Sequence, residues 1–376
     1  MPNLLNAMQR IAFLAVCFYL FADCLQATDL SSIELKFSEM KDSERVYSTV
    51  VFSPDGKKIV VGSQYFVEIE DRVITQDTLT RIFDVESGKE LQKWEGSFRA
   101  MTPDGKKIAV GKTGRVRDVR ILDLDSGKEL LKVDEAFSTG AFSTGFSHDG
   151  KKIIIERADN SMQETQIVDI ESGKVLQKFE GISGLRFSPD GKTLLTSIPL
   201  YGSEKEIRIL DAESGKELRQ LEGMDMWGFS SGFSPDGKQI VTQSGTEESG
   251  PLTLIWDAET GKEVQRLEGF FWGFSLDGKK IVTLRDFPQP DTARIWDSQS
   301  GKELQKSEKH VNLEPSPVFS PDGKVFFPFG LYNIDTRKEW QGFGDTSKIG
   351  PVTCSPDGKK IVTVEDNKIV RILTVE

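Results

Sequence analysis

One short string recurs along this chain and restricts it to a repeat architecture. Phe-Ser-Pro-Asp-Gly-Lys, with small variations, occurs eight times. The glycines of the eight copies are Gly56, Gly105, Gly150, Gly191, Gly237, Gly278, Gly323 and Gly358. They recur about every 43 residues, a period typical of stacked structural repeats.

A second string lies between successive copies of the first. Its six complete copies, such as RIFDVESGKELQKW, begin at Arg81, Arg120, Gln166, Arg208, Leu254 and Arg294, and a shortened copy begins at Tyr332. Asp-Gly in the first string and Ser-Gly or Thr-Gly in the second stand between short apolar runs. Such pairs predict tight turns between antiparallel strands, because glycine adopts a positive φ at little cost. Each unit therefore predicts four short strands.

These units resemble the repeats of WD-repeat β-propellers of the exported, bacterial type. Trp256-Asp257 and Trp296-Asp297 form the dipeptide that names that family. The resemblance implies an all-β fold of four-stranded antiparallel blades. The family often has Gly-His before the first strand, where the histidine joins a buried polar network. Here that place reads Glu-Gly, as at Glu95-Gly96, so we expect no such network and a stability that rests on apolar packing between blades.

The repeat count predicts an eight-bladed β-propeller whose ring is closed by an N-terminal strand. The last repeat supplies only three strands, and Ile33–Phe37 (IELKF) is similar to the missing fourth one. Adding this strand would cover an exposed edge. The alternative is seven blades, because only 12 residues separate Gly323 from Asp335 in the shortened unit, against 18 to 28 elsewhere.

The N-terminal segment predicts export. Residues 1–27 contain one basic residue, Arg10, followed by an apolar run from Ile11 to Ala22 and then small and polar residues, as in a signal peptide. We expect a single propeller domain over 28–376, secreted to the periplasm or the exterior, with no stable membrane span after cleavage. An uncleaved membrane anchor is the alternative, although the run is short for a bilayer.

The composition and motifs favour binding over catalysis. A net charge of −11 is the opposite of the basic footprint of nucleic-acid binding. Gly228–Gly232 matches G-x-S-x-G but lies before a predicted hairpin rather than in a strand–turn–helix. His148 and His310 lack ligand neighbours, and Cys354 replaces an apolar residue. We therefore expect no catalytic residue, no metal and no cofactor; a quinone-dependent or other eight-bladed propeller enzyme is the alternative.

The distribution of loop lengths predicts where a partner binds. The SPDG and ESGK turns should share one uniform face, which we name the turn face, and the longer loops should lie on the opposite, variable face. The candidate partner-binding residues on the variable face are Tyr65, Phe66, Met224, Met226, Trp227, Phe270 and Phe271. Exposed aromatic clusters mark interfaces, although packing between blades is the alternative for the last five. We expect a monomer that acts as a scaffold for a protein or peptide partner.

Overall fold

A computed structural model of the chain describes most of the repeats. The residues that it describes are 32–36, 45–69, 72–112, 118–134, 145–158, 163–182, 184–196, 207–221, 231–246, 250–275, 277–285, 292–306, 318–319, 325–326, 332–333, 338–339, 349–365 and 369–374. All the regular secondary structure in these ranges is β-strand.

Six four-stranded antiparallel blades follow one another in chain order, each with its strands in sequential order. The first two blades consist of β2 (Arg45–Phe52), β3 (Lys58–Ile69), β4 (Arg72–Asp84) and β5 (Glu90–Glu95), then β6 (Ser97–Met101), β7 (Lys107–Lys112), β8 (Asp118–Asp123) and β9 (Glu129–Asp134). The third and fourth consist of β10 (Gly145–Phe146), β11 (Lys152–Ala158), β12 (Gln163–Asp169) and β13 (Val175–Glu180), then β14 (Arg186–Phe187), β15 (Thr193–Leu195), β16 (Ile207–Asp211) and β17 (Glu217–Leu221).

The fifth and sixth blades complete this series, and a further blade ends the chain. The fifth and sixth consist of β18 (Ser231–Phe233), β19 (Gln239–Thr246), β20 (Gly250–Asp257) and β21 (Glu263–Glu268), then β22 (Phe270–Phe274), β23 (Lys280–Arg285), β24 (Thr292–Asp297) and β25 (Glu303–Lys306). The last blade consists of β30 (Ile349–Cys354), β31 (Lys360–Glu365), β32 (Ile369–Thr374) and β1 (Ser32–Lys36). The result is a β-propeller, as the repeats predict.

The N-terminal strand lies at the edge of the last blade. β1 pairs antiparallel with β32, from Ser32 opposite Leu373 to Lys36 opposite Ile369. The predicted pairing of the IELKF strand with the C-terminal repeat is therefore confirmed, one residue earlier than expected.

The expectation of eight four-stranded blades is wrong for the part of the chain that the structure describes, which contains seven. The shortened unit forms two separate two-stranded sheets instead: β26 (Val318–Phe319) with β27 (Val325–Phe326), and β28 (Tyr332–Asn333) with β29 (Lys338–Glu339). This unit is the shortest of the repeats, and each of its four described strands has only two residues, so the ladder hydrogen bonds that could hold them in one sheet are few. The described residues do not show how the sixth blade connects to the last one.

The hydrophobic core is divided among the junctions between neighbouring blades. At the junction of the first and second blades, for example, Val60 and Ile82 pack with Ile108, Val110 and Leu122. Similar clusters join each later pair up to the fifth and sixth blades. The first blade also packs against the last blade, through a cluster that includes Val50, Ile59, Val362 and Ile372. Packing of this kind stabilises neighbouring blades against each other and leaves the loops free to vary.

Candidate binding surface

The turn face is built from two interlocked turns in each of the six consecutive blades. In the first blade, Ser53 Oγ and the Lys57 amide both donate to Asp55 Oδ1, the amide at 3.0 Å, and Gly56 follows with a φ of 68°. The Val85 amide then donates to the Lys57 carbonyl at 2.9 Å, which ties the second turn to the first. Equivalent amide-to-carbonyl bonds recur in the other five blades of the series. The prediction that the SPDG and ESGK turns share one face is confirmed.

The same face also joins neighbouring blades. Gln92 Nε2 in the first blade donates to the Asp125 carbonyl in the second at 2.9 Å, and Lys107 Nζ in the second donates to the Gly150 carbonyl in the third at 3.0 Å. Gln239 Nε2 reaches the Ser298 carbonyl at 2.9 Å between the fifth and sixth blades. Several polar groups of this face therefore form hydrogen bonds between neighbouring blades.

The ESG turns hold a set of carboxylates in their ionised form. The Ser87 hydroxyl and then its amide donate to Asp84 Oδ1, at 2.6 and 2.8 Å, and these bonds hold the pKa of Asp84 below its ordinary value of 3.8. Asp123 and Asp211 have lowered pKa values for the same reason, through Ser126 and Ser214. Asp169, Asp257 and Asp297 repeat the arrangement.

We expect these carboxylates to make the propeller sensitive to acid. A carboxyl whose pKa is lower in the folded state than in the unfolded state stabilises the fold at pH values above the unfolded pKa. That contribution is lost as the pH falls through the folded pKa. The melting temperature should therefore fall steeply below about pH 4. The variant with Asp84→Asn, Asp123→Asn and Asp211→Asn should show a shallower fall between about pH 4 and pH 2. If the melting temperature falls equally steeply in acid for the wild type and the variant, these carboxylates are not the cause of the acid sensitivity.

A buried polar network is present after all, which corrects the expectation drawn from the missing Gly-His. Trp296 Nε1 donates to Thr283 Oγ1 at 2.8 Å, and Thr283 Oγ1 donates to the Glu268 carbonyl at 2.6 Å. In the neighbouring blade, Trp256 Nε1 donates to Thr242 Oγ1 at 2.9 Å. The network forms without a histidine because the Glu268 backbone carbonyl accepts the hydrogen bond that the Thr283 hydroxyl donates.

The variable face carries a long hairpin in the first blade. The segment around Tyr65 and Phe66, expected as a loop, continues strands β3 and β4 instead, with Tyr65 opposite Gln76 and Phe66 opposite Thr75. Pairing extends to Ile69 opposite Arg72. The alternating apolar residues of this segment favour strand pairing over an irregular loop. β2 pairs with β3 only as far as Phe66, so the last part of the hairpin extends beyond the inner strand.

The remaining candidate residues divide into two groups. Phe270 and Phe271 lie in the innermost strand of the sixth blade and are half-buried. Phe271 packs against the core between the fifth and sixth blades, and its ring meets Phe274 edge-on with centroids 5.3 Å apart. Phe271 is therefore at least partly a packing residue. Met224, Met226 and Trp227 lie outside the described residues.

Comparisons with known proteins add no relative. No protein-family model matches the chain, and no curated protein matches it either.

Among the residues that the structure describes, no group of three or more His, Cys, Asp or Glu side chains is placed to hold a metal ion. The same residues contain no helix that is long and apolar enough to cross a bilayer. Cys354 is a buried free thiol, and burial raises its pKa to about 12.

Sequence reasoning overlooked Arg99. It stands in the inner strand β6, four residues before the proline of its TPDG turn. The residues at the same distance in two other blades are Val50 and Leu185, both buried. A charged residue at a position that carries no charge in the other repeats was the available signal.

Proposed function

We propose that this chain is an exported, non-catalytic WD-repeat propeller that presents protein or peptide partners on its variable face. The observation that carries the proposal is the difference between the two faces. The turn face repeats nearly the same tight turn in every blade, and its polar groups bond to one another and to neighbouring blades. The hairpin of β3 and β4 gives the variable face a feature that is not found among the described residues of the other blades.

Specific recognition favours a surface that changes from blade to blade. A binding site needs a few large side chains within a polar rim, and a row of similar turns offers one chemistry repeatedly. Tyr65 and Phe66 belong to the long hairpin, and Phe270 begins the inner strand of the sixth blade. We include Met224, Met226, Trp227 and Phe271 in the same proposed surface, with Phe271 also contributing to packing.

Membership of the WD-repeat family is part of the proposal. Its support is the repeated Trp or apolar residue before an aspartate that caps the next turn. Trp256 and Trp296 are buried, and Asp257 and Asp297 each accept a hydrogen bond from the residue three positions later. The buried Trp–Thr hydrogen bonds are a second polar feature that repeats, once in the fifth blade and once in the sixth.

Closure of the ring by the N-terminal strand is also proposed. A Cβ built on Gly105 would lie 2.7 Å from Pro54 Cδ of the preceding blade, so the proline ring packs on that glycine. Gly56 of the first blade meets Pro356 of the last blade in the same way, at 3.1 Å. The same contact thus recurs between consecutive blades and between the two ends of the chain. Export through residues 1–27 and a monomeric state complete the proposal.

A pull-down with two matched variants tests the function. The first variant replaces residues 65–77 by Asn-Gly, which shortens the hairpin and joins Gln64 to its opposite residue Thr78 through a two-residue turn. The second carries Lys57→Glu, Lys106→Glu and Lys151→Glu on the turn face, where all three lysines are exposed. We expect the first variant to capture its partner from the exported fraction about 30-fold more weakly than wild type, because interface anchors carry most of the binding energy.

The turn-face variant should capture the same partner as well as the wild type does. Circular dichroism should show similar melting temperatures for all three proteins. Loss of capture by the lysine variant with retention by the hairpin variant would place the partner on the turn face. Equal capture by both variants would remove the hairpin from the binding surface.

A further inference from the structure

Arg99 places a positive charge inside the propeller wall. It lies in β6, the inner strand of the second blade. The pairing of β6 with β7 shifts register between Phe98 and Ala100, so Arg99 is the extra residue of a β-bulge. Bulges redirect the side chain of the inserted residue and are common next to functional sites.

The bulge brings the Arg99 side chain over Gly111. A Cβ built on Gly111 would lie 2.9 Å from Arg99 Nε and 3.5 Å from its Cγ, so a larger residue at 111 would displace the arginine. Gly111 is two residues from Ala109, which packs into the core between the second and third blades. Because side chains alternate along a strand, Arg99 lies at this same junction.

The guanidinium has no partner among the residues that the structure describes. Arg99 Nε is shielded from solvent and makes no hydrogen bond. Burial alone lowers the pKa of Arg99 to about 10, so the group is still charged at neutral pH. Arg294 provides a contrast, because its Nη1 and Nη2 atoms pair with Glu303 at 3.1 Å and Glu268 at 2.9 Å.

Arg99 is half-buried and its Nε is shielded without a hydrogen bond. Shielding a cation from water is costly, and proteins normally pair such a group with a carboxylate or another anion. A guanidinium presents planar donors that match the oxygens of a carboxylate or a phosphate. We propose that Arg99 is the centre of an oxyanion-binding site at the junction of the second and third blades. The site does not depend on the proposed scaffold function, because a free anion is sufficient to fill it.

Anion titration of the full chain tests this site. The probes are inorganic phosphate and acetate, each added at constant ionic strength against a chloride reference, with melting temperature and calorimetric affinity as readouts. We expect at least one probe to raise the melting temperature of the wild type, because a ligand that binds the folded state stabilises it. In Arg99→Met the apparent affinity should fall at least about tenfold, because a charge-assisted hydrogen bond is lost.

The same variant makes a second, opposite prediction. Without added anion, Arg99→Met should melt at or above the wild-type temperature, because it removes an unpaired, half-buried charge and keeps an apolar chain of similar length. Arg294→Met is the matched control. It should lower the melting temperature by breaking two ion pairs and should keep the full response to the anion.

Gly111→Ala provides an independent variant that retains the charge. Its new methyl group should move the guanidinium and weaken the response to the anion while the protein stays folded. A response to acetate but not to phosphate would assign a carboxylate ligand, and the reverse would assign a phosphate; either supports the site. The proposal is overturned if neither probe stabilises the wild type, if Arg99→Met responds like the wild type, or if Arg99→Met melts well below it without anion.

Discussion

Deleting residues 1–37 is expected to lower the melting temperature by about 10 °C relative to a chain that begins at residue 28. The deletion removes β1, which pairs along its whole length with β32. β32 contributes Val370 and Ile372 to the core between the first and last blades, and both side chains are almost fully buried. Loss of β1 exposes this edge of the core to solvent and leaves backbone groups of β32 without their hydrogen-bond partners.

The chain that begins at residue 28 is the control, because it lacks the proposed signal peptide and keeps β1. Differential scanning calorimetry gives the melting temperatures, and size-exclusion chromatography reports association. The shorter chain should also associate, since an unpaired edge strand is a template for pairing with a second molecule. Equal melting temperatures for the two chains would show that β1 contributes little and would remove the support for ring closure by this strand.

Thr283→Val should reduce the free energy of unfolding by about 3 kcal/mol. The substitution keeps the side-chain shape and removes the hydroxyl that links Trp296 Nε1 to the Glu268 carbonyl. Trp296 Nε1 in the sixth blade and the Glu268 carbonyl at the end of the fifth then lose their partner, at a position where Thr283 is nearly fully buried. Urea unfolding followed by tryptophan fluorescence measures the change.

The neighbouring blade supplies the comparison for this variant. Thr242→Val removes the acceptor of Trp256 Nε1 alone, so its cost should be about half as large. Thr283→Ser keeps the hydroxyl and should recover most of the lost stability. Equal costs for Thr242→Val and Thr283→Val would indicate that the carbonyl bond of Thr283 contributes nothing.

Much of the fold was predictable because its determinants are local and repeated. Asp-Gly and Ser-Gly each specify a turn within four or five residues, and the apolar runs between them specify strands. The shared turn face followed from strand alternation and is confirmed by the bond from Val85 to Lys57. The partnership of the N-terminal strand with β32 was predictable because the last repeat lacks one strand.

The candidate surface was less predictable, because exposure depends on contacts between distant segments. Sequence spacing did not distinguish a loop from the paired hairpin that contains Tyr65 and Phe66. It also gave even weight to binding and packing for Phe271, which meets the core between the fifth and sixth blades. The role of Met224, Met226 and Trp227 in binding stays a prediction.

The sequence by itself determined the repeat period, the turn chemistry and the all-β architecture, because each rests on residues adjacent in the chain. Tertiary structure decided the number of four-stranded blades, since the two-residue strands of the shortened unit pair only as separate hairpins. It decided the polar network as well, because a backbone carbonyl replaces the absent histidine and backbone groups carry no sequence signature. It also placed Arg99 over Gly111, with no partner among the residues that the structure describes, because a bulge in β6 redirects a side chain that strand alternation alone assigns elsewhere.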